Sequence, residues 1–130
     1  MKTFAFSALA AVLIAAPAFA ADAPPAPVRK ILQSFPASGS PNQQVNLAEV
    51  SFAPGALLGY HTHPGEESGT VVSGLLKIEM DGKPPLMVKP GESFLIPRGV
   101  AHQASAPQGE THLVTVYVVD KDKPLATPRP

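Results

Sequence analysis

The 130-residue sequence predicts an all-β domain. Three observations carry that expectation. Apolar residues fall in short runs, several alternating with polar ones at period two. Ten glycines and sixteen prolines punctuate those runs, where turns are expected. Beyond the N-terminus no stretch holds the 3.6-residue apolar period of a helix, and no segment repeats.

Residues 1–20 read as an export signal. Lys2 supplies a positive start, Phe4 to Ala16 is an apolar and small-residue run, and Ala18-Phe19-Ala20 offers a small-x-small cleavage site. The run falls short of the roughly 20 apolar residues that span a bilayer. There is no cysteine for lipid attachment and no twin arginine, so the route exports an unfolded chain. The expected location is periplasmic or secreted, with no membrane association after cleavage.

Residues 21–44 form a Pro/Ala-rich leader. Within it Val28 to Phe35 is a candidate first strand, and Pro36 to Gln44 is turn-rich. Val45 to Phe52 alternates as a strand does and stops at Pro54-Gly55. Thr70 to Met80 reads as strand, ended by the turn signal Asp81-Gly82. Leu86 to Val88 and Ser93 to Ile96 are short strands separated by Pro90-Gly91. Thr111 to Val119 is the last clear strand, and residues 120–130 read as a tail. Many short strands with Gly and Pro between them suit a sandwich or barrel. Its expected wall and core comprise Leu57, Leu58, Val72, Leu76, Ile78, Leu95, Ile96, Val114 and Val116.

Charge narrows the partners. Ten basic and ten acidic side chains balance, and loss of Lys2 with the signal leaves nine and ten. Such a surface gives no electrostatic footprint for nucleic acid or an anionic membrane. Without cysteine there is no disulfide and no thiol catalysis. A mature chain of this size must rely on its core, a metal or a partner subunit.

Two segments carry the chemistry. The first runs from Gly55 through His61-Thr62-His63-Pro64-Gly65-Glu66-Glu67 to Gly74. The second runs from Gly91 through Pro97-Arg98-Gly99 to His102. Together they read G-x5-H-x-H-x3-E-x6-G and G-x5-P-x-G-x2-H. The pair resembles the two motifs of the cupin superfamily. The resemblance covers Val45 to Val119, assigns residues 45–119 to the barrel, and narrows the fold to a single-domain cupin-type jelly-roll β-barrel. It implies a single divalent transition metal, Fe, Mn, Ni, Zn or Cu, held by His61, His63, Glu67 and His102. One position departs from the family pattern, with Ala106 where an asparagine usually follows the second motif's histidine.

The spacing is consistent with that ligand set. Residues i and i+2 of a strand share a face, so His61 and His63 project together while Thr62 points away. Pro64-Gly65 then turns the chain to bring Glu67 alongside. Glu66 has the wrong spacing and the other parity, and reads as exposed. Tyr117 and His112 lie on the last strand with opposite parity, so at most one faces inward. Tyr60 is expected outside, and Arg98 in the turn before His102.

The resemblance implies either of two functions. One is a metal-dependent enzyme, foremost a dioxygenase acting on an enediol, flavonol or catechol-like molecule, with Glu67 as ligand and general base. The other is a non-catalytic module that binds a metal or small ligand, since fold does not fix function. In both the partner is a small molecule, and small cupins imply a homodimer, with Val28 to Phe35 as the candidate intersubunit strand. Mass measurements check the two expectations from the ends of the chain. The denatured mature protein should begin at Ala21 and its native mass should be that of two chains. A retained Met1, or a monomer at high concentration, would contradict them.

Overall fold

The computed structural model describes residues 22–129, and the export signal read in residues 1–20 lies outside the described residues. Ten strands and no helix make up the described residues. They are β1 (Val28–Ala37), β2 (Ser40–Phe52), β3 (Leu57–Thr62), β4 (Gly65–Ser73), β5 (Leu76–Met80), β6 (Leu86–Val88), β7 (Ser93–Ile96), β8 (His102–Ser105), β9 (Thr111–Asp120) and β10 (Thr127–Pro128). One sheet has the order β1-β2-β9-β4-β7 and the other β10-β3-β8-β5-β6. Every pairing is antiparallel. The expected all-β jelly-roll barrel is what the chain forms.

Period-two burial sets the inner face. On β4, Gly65, Glu67, Gly69 and Val71 are buried while Glu66, Ser68, Thr70 and Val72 are exposed. On β5, Leu76, Ile78 and Met80 point inward. Val50, Phe52, Leu76, Ile78, Phe94, Ile96 and Leu113 meet in one core between the sheets. Full burial of each large apolar side chain is worth about 1.5–3 kcal/mol, so this layer is a principal source of barrel stability.

Several expected core positions need correction. Val72 is 62% exposed and Leu95 60% exposed. Leu95 alternates outward between buried Phe94 and Ile96. Leu57 is only half-buried, as are Val114 and Val116. The inner face of β9 is Thr111, Leu113, Thr115, Tyr117 and Val119. Both parities of that strand contain large apolar residues, so composition does not decide which set turns inward.

Both ends of the described region also carry more strand than their composition implied. The turn-rich reading of Pro36 to Gln44 is replaced by a hairpin whose turn is Ser38-Gly39, with Gly39 at φ 76°. The prolines are tolerated because Pro36 lies on an edge strand, and Pro41 precedes Gln43, where pairing of β2 with β9 begins. β1 pairs with β2 within the chain. Its side chains Val28, Ile31, Leu32 and Phe35 remain exposed. The tail folds back along β3. Thr127 pairs with Thr62 and Pro128 with His61, and the Arg129 N–H donates to the Tyr60 carbonyl at 2.9 Å. A two-residue strand has no periodicity to read.

The crossing from β3 to β4 takes the chain from one sheet to the other. It requires Gly65, where a Cβ would lie 1.9 Å from the Val118 carbonyl oxygen. Gly69, two positions past Glu67, is equally confined, with the Phe94 ring 2.6 Å from where its Cβ would be. On either side of Glu67 the chain is therefore closely packed, by the β9 backbone at Gly65 and by the Phe94 ring at Gly69, and neither position has room for a side chain.

Candidate metal centre

His61 lies on β3 directly opposite His102 on β8. That register brings the two rings together, with centroids 4.2 Å apart and planes tilted by 55°. His63 follows two residues after His61, just past the strand end, and its ring centroid is 4.8 Å from that of His61 and 5.1 Å from that of His102. Glu67 arrives from the facing sheet. Its Oε2 is 2.9 Å from His63 Nε2 and 3.4 Å from His102 Nε2. Each of the four offers one ligand atom, and those atoms all lie within 4.8 Å of one another. All four side chains are buried.

The hydrogen bonds at the far side of each ring fix the tautomers. His61 Nδ1 is 2.8 Å from the Gly59 carbonyl, His102 Nδ1 is 2.9 Å from the Val100 carbonyl, and His63 Nδ1 is 2.6 Å from the Leu125 carbonyl. A carbonyl oxygen only accepts, so each Nδ1 carries the hydrogen and each Nε2 presents a lone pair. Nε2 of His61 and of His63 is buried without a hydrogen-bond partner. The 2.9 Å contact between His63 Nε2 and Glu67 thus sets a lone pair against a carboxylate oxygen. Two acceptors at that distance need a proton or a metal ion between them. Three imidazole nitrogens and one carboxylate oxygen suit a divalent transition metal, so these residues fit such an ion. Carbonyl-anchored Nδ1 atoms are the usual outer support of metal-bound histidines.

The centre forms one wall of a small cavity of about 20 Å³, room for about one water molecule. Phe52, Leu58, Ile78, Phe94 and Leu113 supply apolar wall. Two polar residues there were not singled out as site residues by the sequence. Tyr117 is buried and its ring centroid lies 5.1 Å from that of His63. It stands opposite Glu67 in the β4–β9 register, a signal that exists only once the pairing is known. Burial and the nearby Glu67 charge push its hydroxyl well above the usual phenol range, so it is a neutral group. Arg29 reaches the same cavity from β1.

The remaining candidates fall elsewhere. Glu66 is exposed, as expected. His112 turns away to Ser51 Oγ at 3.1 Å and Glu110 at 2.9 Å. Arg98 is exposed and makes a two-point contact with Asp120 at 3.0 and 3.1 Å. Tyr60 is half-buried rather than fully outside.

Residues 48–119 match the family model described as the cupin domain. The chain belongs to the cupin family. No curated protein matches it. Among solved structures, KdgF from Halomonas sp. is 25% identical, with a TM-score of 0.61, over 78% of this chain and 86% of that one. A cupin 2 conserved barrel domain protein from Leptotrichia buccalis is 32% identical, with a TM-score of 0.59, over 71% and 40%. An oxalate oxidase is 31% identical, with a TM-score of 0.55, over 61% and 44%. This cupin therefore spans less than two thirds of the length of two of the three.

The family's usual asparagine is replaced here by Ala106, and the backbone does the work of shaping the turn. The Ala106 N–H donates to the Ala56 carbonyl and its own carbonyl accepts from Gly55 N–H, both at 3.1 Å.

The buried centre makes the metal-free cupin sensitive to acid. Burial disfavours the His61 imidazolium and, despite the Gly59 carbonyl, lowers its pKa from 6.5 to about 4. Burial acts the other way on Glu67, but His102 and His63 against it prevail and lower its pKa from 4.5 to about 2. Between pH 6.5 and 4 the unfolded chain protonates His61 before the folded one does. Between pH 4.5 and 2 the same holds for Glu67. Both therefore remove stability as pH falls, by up to about 1.4 kcal/mol per pH unit for each proton. Thermal unfolding of metal-free protein should show a melting temperature that drops from pH 6.5 towards 4. In His61→Gln that part of the drop should shrink, and an unchanged profile in the variant would contradict the assignment.

Proposed function

We propose that this cupin is a mononuclear metal-dependent enzyme of dioxygenase type acting on a small oxygen-rich molecule, an enediol, flavonol or catechol. One observation carries the reading: four ligand atoms with free lone pairs converge on one point in the wall of an apolar cavity. Such a centre is shaped to hold an ion, and an outer hollow of about 230 Å³ that shares Leu58 and His61 with it gives a small molecule room alongside. The likeness to an oxalate oxidase supports oxidation chemistry. The export signal read in residues 1–20 puts the proposed reaction outside the cytoplasm, where the metal is acquired after export.

His61, His63, His102 and Glu67 would hold Fe, Mn, Ni, Zn or Cu. The bound ion would supply Lewis acidity to a ligand oxygen. The protein's own contribution is positional and electrostatic. Glu67 is ionised across the physiological range, so one carboxylate oxygen can take the proton of a substrate hydroxyl while the other stays on the metal side. Neutral Tyr117 offers a hydroxyl hydrogen from the facing strand. The apolar wall excludes water and strengthens each of these interactions.

A binding module is the second reading. It is favoured by the lack of a further acid–base pair: among the described residues, Tyr117 and Arg29 are the only other titratable groups lining the cavity. One variant separates the readings. Glu67→Gln keeps three nitrogens and a weakly coordinating amide, so it should retain most of its metal by elemental analysis. Its oxygen consumption with the best enediol, flavonol or catechol should fall about 10²–10⁴-fold, the range of general acid–base assistance. A metal-replete, fully active Glu67→Gln removes Glu67 as base. No oxygen uptake by wild type with Fe, Mn, Ni, Co or Cu would favour the binding module.

A further inference from the structure

The C-terminal tail meets the metal centre at several points. The Leu125 carbonyl accepts from His63 Nδ1 at 2.6 Å. Pro128 pairs with His61, His61 with His102 and His102 with Met80, so two of the ligands lie in one row across β10, β3, β8 and β5. Arg129 follows Pro128 and Asp81 follows Met80, and these two side chains form an ion pair that bridges the ends of that row. Ala126 and Pro128 also line the outer hollow beside His61.

The tail is fastened unequally along its length. At its root Asp120 is held by Arg98 at two points and by Lys123 at 3.0 Å. The Lys121 N–H donates to the Asn42 carbonyl at 3.0 Å. Leu125 is half-buried and packs against Ala48, Tyr117 and Val119. Beyond Leu125 the hold is slight. β10 has two residues, both exposed. The Arg129–Asp81 pair is more than half exposed on each side, and solvent screening makes such a pair weak. Segments with few buried apolar contacts and exposed backbone hydrogen bonds open locally without global unfolding. The carbonyl that supports His63 thus lies where the packed part of the tail gives way to the loosely held part.

We propose that residues 125–129 are a strap whose docking sets how tightly the metal is kept. Docked, the strap orients the His63 ring on the ion and walls the rim beside His61. Lifted, it frees His63 Nδ1 and opens the side from which the metal exchanges. The inference rests on the four-residue metal site and adds a positioning element to it. The coupling is reciprocal: docking that tightens the metal by some factor requires the metal to hold the strap down by the same factor. A tail that only completes the sheet would change stability without responding to the metal.

The test compares the mature protein with two shortened forms. One ends at Ala126 and loses β10 and Arg129 but keeps the Leu125 carbonyl, and the other ends at Pro124 and loses both. Zn(II) affinity is measured by competition with a chromophoric chelator, and Zn(II) release by excess chelator. The Kd should rise about 10- to 100-fold in the form ending at Pro124, the range for losing the outer support of a metal ligand. It should rise less in the form ending at Ala126, and release should be faster in both. With Co(II) bound, the full-length protein should show three paramagnetically shifted, exchangeable imidazole N–H signals, and the form ending at Pro124 only two. The Arg129 N–H donates to the Tyr60 carbonyl, so its hydrogen exchange reports lifting of the strap. Zn(II) should slow that exchange in the full-length protein by about the factor in affinity that the form ending at Ala126 loses. If the shortened forms do not fold, Asp81→Ala in the full-length protein removes only the exposed pair, and several-fold faster Zn(II) release with faster Arg129 exchange supports the strap. Unchanged affinity and release in folded shortened forms or in Asp81→Ala, or an Arg129 exchange rate indifferent to Zn(II), overturns the strap and leaves the metal site standing. A full-length protein that binds no metal overturns both.

Discussion

Three hydrogen bonds from histidine Nδ1 to backbone carbonyls are the constraint on which the centre depends. Each is an ordinary neutral hydrogen bond, worth about 1 kcal/mol net. Their larger consequence is orientation. By committing Nδ1–H to a carbonyl, they turn three lone pairs towards Glu67. In the metal-free chain this arrangement is uphill, because buried Nε2 atoms lack partners. A cation relieves that cost in the native state alone, so metal binding and folding are coupled. Ligation at 100 to 1,000 times Kd adds about 3–4 kcal/mol, a large share of the stability of a small domain.

The three anchors differ in how they are built. His61 and His102 each use the carbonyl two residues earlier in their own segments. His63 uses Leu125, which is 62 residues away. Its ring is therefore held by the returning tail, which β10 secures against β3. Closure of the barrel does the rest, because Glu67 reaches the histidines only when β4 crosses to the opposite sheet. Gly65 permits that crossing by letting β4 lie against the β9 backbone.

Sequence and structure agree where the information is local. The His-x-His pair, the Pro64-Gly65 turn and the parity of Glu67 against Glu66 are short-range features, and they place the four residues of the centre. What was not legible is long-range. The inward turn of Tyr117 depends on the pairing of β4 with β9, since either parity of β9 would bury apolar side chains. Arg29 sits in a segment whose other side chains are mostly exposed, and only its opposition to Val50 reveals that it faces inward. The tail is polar and proline-containing, yet its backbone carbonyl at Leu125 supports His63. No side-chain pattern encodes a carbonyl.

The central claim is that His61, His63, Glu67 and His102 form one metal site. Elemental analysis of the mature protein, purified from its native compartment and from metal-supplemented culture, tests it most directly. The expected result is one transition-metal ion per chain in wild type, falling well below one in both His63→Ala and His102→Ala while the variants remain folded. Full metal retention in both folded variants would contradict the account.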